Sequence, residues 1–374
     1  MDKVLFITYL EDFREDAGDK IYSINIIREL EKLFNVHIIC FGHNDKKNIL
    51  HTSSKGSAFS SLFSIYPFGI SAHRNSQLRK AVATACLEND YKHIFLDHFR
   101  LLWLIKSMQG NSATRAIYIS HNIEYLSRAN GYKLEKNHLK KIALYADYLK
   151  TLFWEKRLIQ LTTSCSAISE TDAELLSKLT GKVSLLKPGY SGPSLQSKEF
   201  ESLENTVIWV GSFKYFAKRL NLIDFCDAIQ STKKQANFKL LVVGLMDDDF
   251  FNTLKNRYEF CQVHPNVDSV FPYLKKAKCG IIFEPVGGGF KLKSLDYIFS
   301  RTPIFALRGS CEGVGLENGI NFIEKDSAEE LISSLNEYID SPNRLRKISD
   351  SAYTASSEIF SWSNLVGSFL NEQK

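Results

Sequence analysis

The sequence predicts an α/β protein built from two doubly wound domains, each with a parallel sheet. Three observations carry this. Short apolar runs of the kind that form buried parallel strands alternate with segments of helical spacing. The alternation stops at a polar stretch bearing glycine and proline near the middle of the chain, then starts again. At 374 residues the chain is long for one domain and comfortable for two.

The elements follow in order. Residues 4–9 are apolar and rich in β-branched and aromatic side chains, the mark of a strand covered on both faces. Ile21, Ile24, Ile27, Leu30 and Phe34 recur every three or four residues, which predicts a helix over 19–34. Residues 36–41 are the next strand. A helix over 76–89, strands at 93–97 and 116–120, one long helix over 132–160, a helix over 169–179 and a strand at 183–186 complete an N-terminal domain of residues 1–188. Lys187-Pro188-Gly189 and Ser191-Gly192-Pro193 then punctuate the chain, and 189–205 reads as a polar linker.

The second domain, 206–360, opens with a strand at 207–210 that ends at Gly211. A helix over 218–231, a strand at 240–243 ending at Gly244 and a strand at 279–283 follow. Next come a glycine loop, a helix reaching Ser300 and a strand at 303–307. Helices over 327–339, 343–357 and 361–371 finish the chain, and the last, within 361–374, can pack back on the N-terminal domain. Sheets of this kind bind ligands at the carboxyl ends of their strands, so a ligand cleft is expected between the domains.

Composition excludes several classes. Charged residues make up 24% and hydrophobic residues 44%, the balance of a globular protein. No apolar run reaches the roughly 18 residues of a membrane span, and Glu11-Asp12 interrupt the N-terminal run at once, so a cytoplasmic protein is expected, with the inner membrane face as an alternative location. Seven cysteines, with no CxxC pair, argue against a disulfide framework or a zinc ribbon. Residues 1–190 carry 26 basic against 19 acidic side chains, an excess too small to imply nucleic acid but favourable to an anionic surface or acceptor. Within it, residues 128–157 combine eight lysines and arginines with Tyr145, Leu149, Leu152 and Phe153, as in a helix that lies on a membrane; a core-facing helix with solvated lysines is the alternative.

The segment richest in chemistry is Glu284-Pro-Val-Gly-Gly-Gly-Phe-Lys-Leu-Lys-Ser-Leu-Asp296. A buried strand runs into Gly287, Gly288 and Gly289, which allow close backbone approach, and then into a helix whose start favours anions. Lys293 can meet a phosphate, and Asp296, one turn deeper, can accept from a ribose diol. Lys291 is offset from Lys293 and so points to another helix face. A tight strand-to-helix turn with solvated charges is the plain alternative.

This segment resembles the donor-site signature of the GT-B glycosyltransferases of family 4, in which a glycine loop precedes a helix of the form (R/K)-x-K-x-x-E. Lys291, Lys293 and Asp296 occupy those positions, and Thr302-Pro303-Ile304 matches the exit. Cys311-Glu312-Gly313-Val314 and Gly319-Ile320-Asn321 are similar to two later signatures of the family. Gly18-Asp19-Lys20-Ile21 and His121-Asn122-Ile123-Glu124 resemble N-domain loops, and Val210-Gly211-Ser212-Phe213 the end of the first donor-domain strand. The departures are specific. Of the family's two glutamates, one is Asp296 here and the other is Gly288, and the usual arginine after Gly211 is Ser212, leaving Lys218 and Arg219 as approximate substitutes.

The resemblance implies two Rossmann-like domains and transfer of a sugar from a UDP- or GDP-sugar with retention of configuration. The acceptor would be a glycan, a lipid-linked molecule or a protein. Neither cofactor nor metal is expected, so lysines and N–H groups must steady the leaving diphosphate. Asp247-Asp248-Asp249 is better explained as a helix start than as a metal site. The resemblance implies that Gly211, Lys218, Arg219, Gly287, Gly288, Gly289, Phe290, Lys291, Lys293 and Asp296 hold the nucleotide. It implies that His121 contacts the transferred sugar. Asp97-His98, at the end of the preceding strand, can touch acceptor or sugar, Asp19 is a further candidate for the substrate side, and Glu124 is expected to help hold the His121 loop there. A nucleotide-sugar epimerase of the same fold and an inactive nucleotide-binding scaffold are the alternatives. A nicotinamide dehydrogenase is disfavoured, because the first strand runs into Leu10-Glu11-Asp12-Phe13 and not a glycine fingerprint.

Overall fold

The computed structural model describes residues 1–15, 17–42, 48–53, 64–108, 115–232, 236–285 and 290–373. They form two compact units, residues 1–188 with 362–374, and residues 189–361.

The first unit runs β1 (Lys3–Ile7), α1 (Gly18–Leu33), β2 (Asn35–Phe41), β3 (Ile49–Ser53), α2 (Phe68–Ser71), α3 (Ser76–Glu88), β4 (Tyr91–Asp97), a 3₁₀ segment (Phe99–Ser107), β5 (Arg115–Ile119), α4 (Glu124–Leu134), α5 (His138–Ile159), β6 (Ser164–Ala167), α6 (Glu170–Ser177) and β7 (Val183–Leu185). All seven strands are parallel, in the order β3-β2-β1-β4-β5-β6-β7. The apolar runs sit where their composition requires. Val4, Leu5, Phe6 and Ile7 of the central β1 are fully buried, because the helices of crossover connections cover both faces.

The second unit contains β8 (Thr206–Ser212), α7 (Phe216–Ser231), β9 (Lys239–Leu245), α8 (Asp248–Arg257), β10 (Cys261–Pro265), α9 (Phe271–Lys276), β11 (Cys279–Ile282), α10 (Lys293–Phe299), β12 (Ile304–Leu307), β13 (Ile323–Lys325), α11 (Ala328–Tyr338) and α12 (Pro342–Ser356). Its six strands are parallel in the order β10-β9-β8-β11-β12-β13. The last helix, α13 (Trp362–Asn371), belongs to the first unit: the Trp362 ring lies 5.8 Å from that of Tyr22 on α1, and Gln373 donates to Ser184.

Two expectations are corrected. The long helix over 132–160 is two helices. α4 ends at Leu134, and α5 begins afresh because Asn137 caps it, accepting from the Lys140 N–H at 3.1 Å. The two are locked together by Glu155 of α5, whose oxygens accept from the N–H groups of Glu124 and Tyr125 at 2.9 and 2.8 Å. Ile123 gives α4 no side-chain cap, so a remote carboxylate does that work. Second, residues 189–205 are not a free linker but part of the second unit. Tyr190 stacks on Phe299 at 4.2 Å, the Leu195 N–H donates to the Phe299 carbonyl, and buried Lys198 donates to Leu274 and Thr302.

The cysteines are free thiols, five of them buried. No helix among the described residues is long and apolar enough to cross a membrane.

Candidate functional site

In each sheet the chain reverses its direction of winding once, and loops leaving the strands on either side of that point part to opposite faces. In the first unit the point lies between β1 and β4. Thr8, one residue past β1, donates from Oγ1 to Asp97 Oδ2 at 2.6 Å. Asp97 closes β4 and is fully buried; its Oδ1 lies 2.6 Å from His121 Nε2. A carboxylate only accepts, so Nε2 carries a proton and Nδ1 is the ring nitrogen left for another partner.

His98 follows at φ 84 and ψ 145, a backbone conformation that costs a non-glycine residue about 1–3 kcal/mol. Its Nδ1 accepts from the Arg100 N–H at 3.3 Å, and its Nε2 lies 3.4 Å from Glu124 Oε1. Burial, reinforced by His121 and Arg100, pushes this imidazole well below its ordinary range. That shift favours the neutral ring beside Glu124, whose own carboxyl burial pushes upward. Asp19 accepts from the Tyr9 hydroxyl, and the Tyr9 ring lies 4.9 Å from that of His98, which lies 5.2 Å from that of His121. Asp19, Asp97, His98, His121 and Glu124 thus form one network. Sequence reasoning missed Thr8, Tyr9 and Arg100: it read Thr8 and Tyr9 as part of the first strand, whereas β1 ends at Ile7 and they lie just past it.

In the second unit the point lies between β8 and β11. Two glycines let the backbone close up here. A Cβ on Gly244 (φ +144) would sit 1.8 Å from the Gly211 carbonyl oxygen, and one on Gly280 would meet the Tyr297 ring at 2.9 Å. Tyr297 thereby lies flat on β11, and its hydroxyl accepts from the Val210 N–H at 3.0 Å, tying α10 to β8.

Past β11, the chain reaches Glu284. Lys293 Nζ lies 2.5 Å from Glu284 Oε1, and Lys291 Nζ lies 3.3 Å from Oε2. Burial would raise the Glu284 carboxyl, but Lys293, Lys291 and Lys218 outweigh it and hold it down at about 2. Burial pushes Lys293 the other way, downward, with Glu284 opposing. Two lysines contact this carboxylate and the charge of Lys218 also acts on it, so positive charge outnumbers negative in a largely buried place.

This corrects the sequence reading in three respects. Lys291 does not point to another face, because it precedes α10 and can turn back to Glu284. The helix does not open at the glycine loop: Lys293 is its first residue, after a tight turn in which the Ser294 and Leu295 N–H groups bond to Lys291 and Leu292. Glu284, not the helix start, organises the lysines. Of the approximate substitutes, Lys218 acts on Glu284 through its charge, whereas Arg219 is held by Asp247 and the Phe213 carbonyl. Phe290 packs toward Phe360 at 5.9 Å. Gly287, Gly288 and Gly289 lie outside the described residues. Asp247 caps α8, accepting from the Phe250 N–H at 3.0 Å, as the helix-start reading expected. Among the described residues no cluster of His, Cys, Asp or Glu could hold a metal ion.

Asp296 is partly buried, and burial pushes its carboxyl up to about 7 from the ordinary 3.8. The folded chain therefore keeps a proton that the unfolded chain has released, and stability falls as pH rises from about 4 through about 7. Asp296→Asn is expected to remove this fall. At about pH 8.5 it should melt roughly 4 °C above the parent, the equivalent of about 1–2 kcal/mol once residual solvent contact is allowed for; at about pH 4 the two should coincide. Coincident melting at both values would show the carboxyl to be solvated.

No protein-family profile and no curated protein sequence matches the chain. Solved structures do. Sucrose-phosphate synthase from Thermosynechococcus elongatus matches with a TM-score of 0.70 at 14% identity, covering 100% of this chain and 99% of that one. Anabaena HepE in complex with UDP and glucose matches with a TM-score of 0.70 at 13% identity and the same coverage. S. aureus TarM, solved with Fondaparinux, α-GlcNAc-glycerol and UDP, matches with a TM-score of 0.68 at 8% identity, again covering 100% and 99%. With its two parallel-sheet Rossmann-like domains, the chain has the GT-B fold of these glycosyltransferases.

Proposed function

We propose that the protein is a glycosyltransferase that moves a sugar from a nucleotide diphosphate sugar to a glycan, lipid-linked or protein acceptor. Transfer proceeds with retention of configuration, without metal, and in the cytoplasm. The observation that carries this reading is the pairing of Lys291 and Lys293 with Glu284, within reach of the charge of Lys218, at the winding reversal of the second sheet. As the bond between sugar and diphosphate breaks, negative charge grows on the diphosphate, and fixed lysines in a poorly solvated place stabilise it without reorganising. Asp296, one turn further along, accepts from the ribose hydroxyls. His121, held by Asp97, offers Nδ1 to the transferred sugar, and Asp19, His98 and Glu124 serve the acceptor side. The UDP and UDP-glucose complexes of HepE and the UDP complex of TarM support a uridine donor.

The test is a panel of UDP-, GDP-, ADP- and CMP-sugars scored for slow hydrolysis by the purified protein. Cleavage of one donor to nucleoside diphosphate and free sugar is expected. Formation of an isomeric nucleotide sugar would point to an epimerase instead, and no turnover of any donor to an inactive scaffold.

A further inference from the structure

Helix α5 is apolar on two opposite sides. Thr151, Trp154, Leu158 and Ile159 face inward and are buried. Leu139, Ile142, Tyr145, Leu149 and Phe153 recur every three or four residues on the roughly opposite side, and are 80, 67, 46, 46 and 58% exposed. The stripe they form is about 21 Å long at the α-helical rise. Leu134 at the end of α4 is exposed as well, and Tyr132 of α4 joins Tyr145 and Tyr148 in an aromatic cluster with ring centroids 5.1 and 5.4 Å away. A surface helix normally turns its second face to water with polar side chains. A contiguous outward apolar stripe marks an interaction surface.

The charge around the stripe selects its occupant. Residues 128–157 carry eight lysines and arginines and three acids, Glu135, Asp147 and Glu155. The fold withdraws two of the acids. Glu155 is fully buried as the cap of α4, and Asp147 accepts from the Phe68 N–H at 2.7 Å and pairs with Arg128 at 3.5 Å. Lys133, Lys136, Lys140, Lys156 and Arg157 remain exposed. A second copy of this chain would bring the same cationic rim against itself and be repelled. A surface that is apolar along its centre, cationic around it and furnished with tyrosines matches the boundary between acyl chains and anionic headgroups.

We propose that the outward face of the α4–α5 hairpin docks on an anionic lipid bilayer, with Leu139, Ile142, Leu149 and Phe153 in the acyl boundary and the lysines on headgroup phosphates. The inference stands on this surface alone and is independent of which sugar is transferred.

The full chain is co-sedimented at low salt with vesicles of phosphatidylcholine, and with vesicles that also contain phosphatidylglycerol. Binding to the second kind, weakened by salt, is expected. The triple substitution Ile142→Ser, Leu149→Ser, Phe153→Ser should lower partition at least about tenfold, as should Lys133→Glu with Lys140→Glu. All five positions are exposed, and unchanged circular dichroism and melting show that the fold persists. Three results would overturn the proposal: no binding to phosphatidylglycerol vesicles, equal binding by the triple variant, or a dimer in sedimentation equilibrium that the triple variant abolishes.

Discussion

His121→Ala is expected to lower donor turnover by about tenfold to a thousandfold while leaving nucleoside diphosphate affinity within about twofold. The proposed function puts the nucleotide on residues 189–361, and His121 belongs to the other unit. Its ring is held by an interaction that leaves little freedom: Asp97 is fully buried, has one oxygen occupied by Thr8, and meets Nε2 with the other. The alanine variant also strands a buried carboxylate, so its effect on rate must be separated from loss of fold. His121→Gln serves this purpose, because its amide can donate to Asp97 while no imidazole remains. Both variants should be slow, and the glutamine variant should melt closer to the parent. Asp97→Asn should act in the same direction, by about tenfold or more, since an amide can donate to Nε2 and reverse the tautomer. Rates come from donor hydrolysis and affinities from calorimetry. A loss of affinity as large as the loss of rate in His121→Ala would move this histidine into the nucleotide's own site.

Lys293→Ala is expected to weaken nucleoside diphosphate binding by about tenfold to a hundredfold, the range of one charge-assisted hydrogen bond, and to affect the plain nucleoside far less. Glu284→Gln should have the opposite sign. In the ligand-free protein this carboxylate already occupies both Lys293 and Lys291, and a diphosphate must compete with it. Neutralising it raises the local surplus of positive charge and should tighten diphosphate binding several-fold, on the order expected for one partly screened charge. The same substitution removes the partner of a buried lysine, so it should lower the melting temperature even as affinity rises. Lys291→Ala should cost less than Lys293→Ala, in keeping with its longer contact to Glu284. Asp296→Ala should weaken nucleoside and diphosphate alike, because a ribose is common to both. Unchanged affinity in the Lys293 and Asp296 variants together would mean that the nucleotide binds elsewhere.

The parts of the structure legible in the sequence are those set by neighbours along the chain. Buried parallel strands are continuous apolar runs, so β1, β2, β4, β8, β9 and β11 were each recognisable within a residue or two of their ends. Helices α1 and α3 and the three C-terminal ones announced themselves by spacing. The unread strands, β3, β6, β10 and β13, are short, and several are polar: Ser164–Ala167 reads Ser-Cys-Ser-Ala, and Cys261–Pro265 carries a glutamine and a histidine. β3, β10 and β13 lie at sheet edges, whereas β6 lies inside its sheet and is buried, but its small residues give no apolar run to read. The 3₁₀ segment Phe99–Ser107 is apolar without a strand's alternation or a full helical repeat.

By itself, then, the sequence determined the alternating elements and the two parallel sheets, and it offered the segments past β4, β5 and β11 as candidate sites. It also placed Asp97, His98, His121, Lys293 and Asp296 among the candidates. Only the tertiary structure decided who meets whom. Thr8 reaches Asp97 across 89 positions, Glu155 caps a helix 31 positions earlier, and Arg219 turns to Asp247 instead of joining the lysines. Glu284 was visible from the start, yet its capture of two lysines was not. Whether a carboxylate is a solvated charge or the centre of an ion cluster depends on how much water its surroundings exclude and on which cations folding brings near, and neither is written in local spacing.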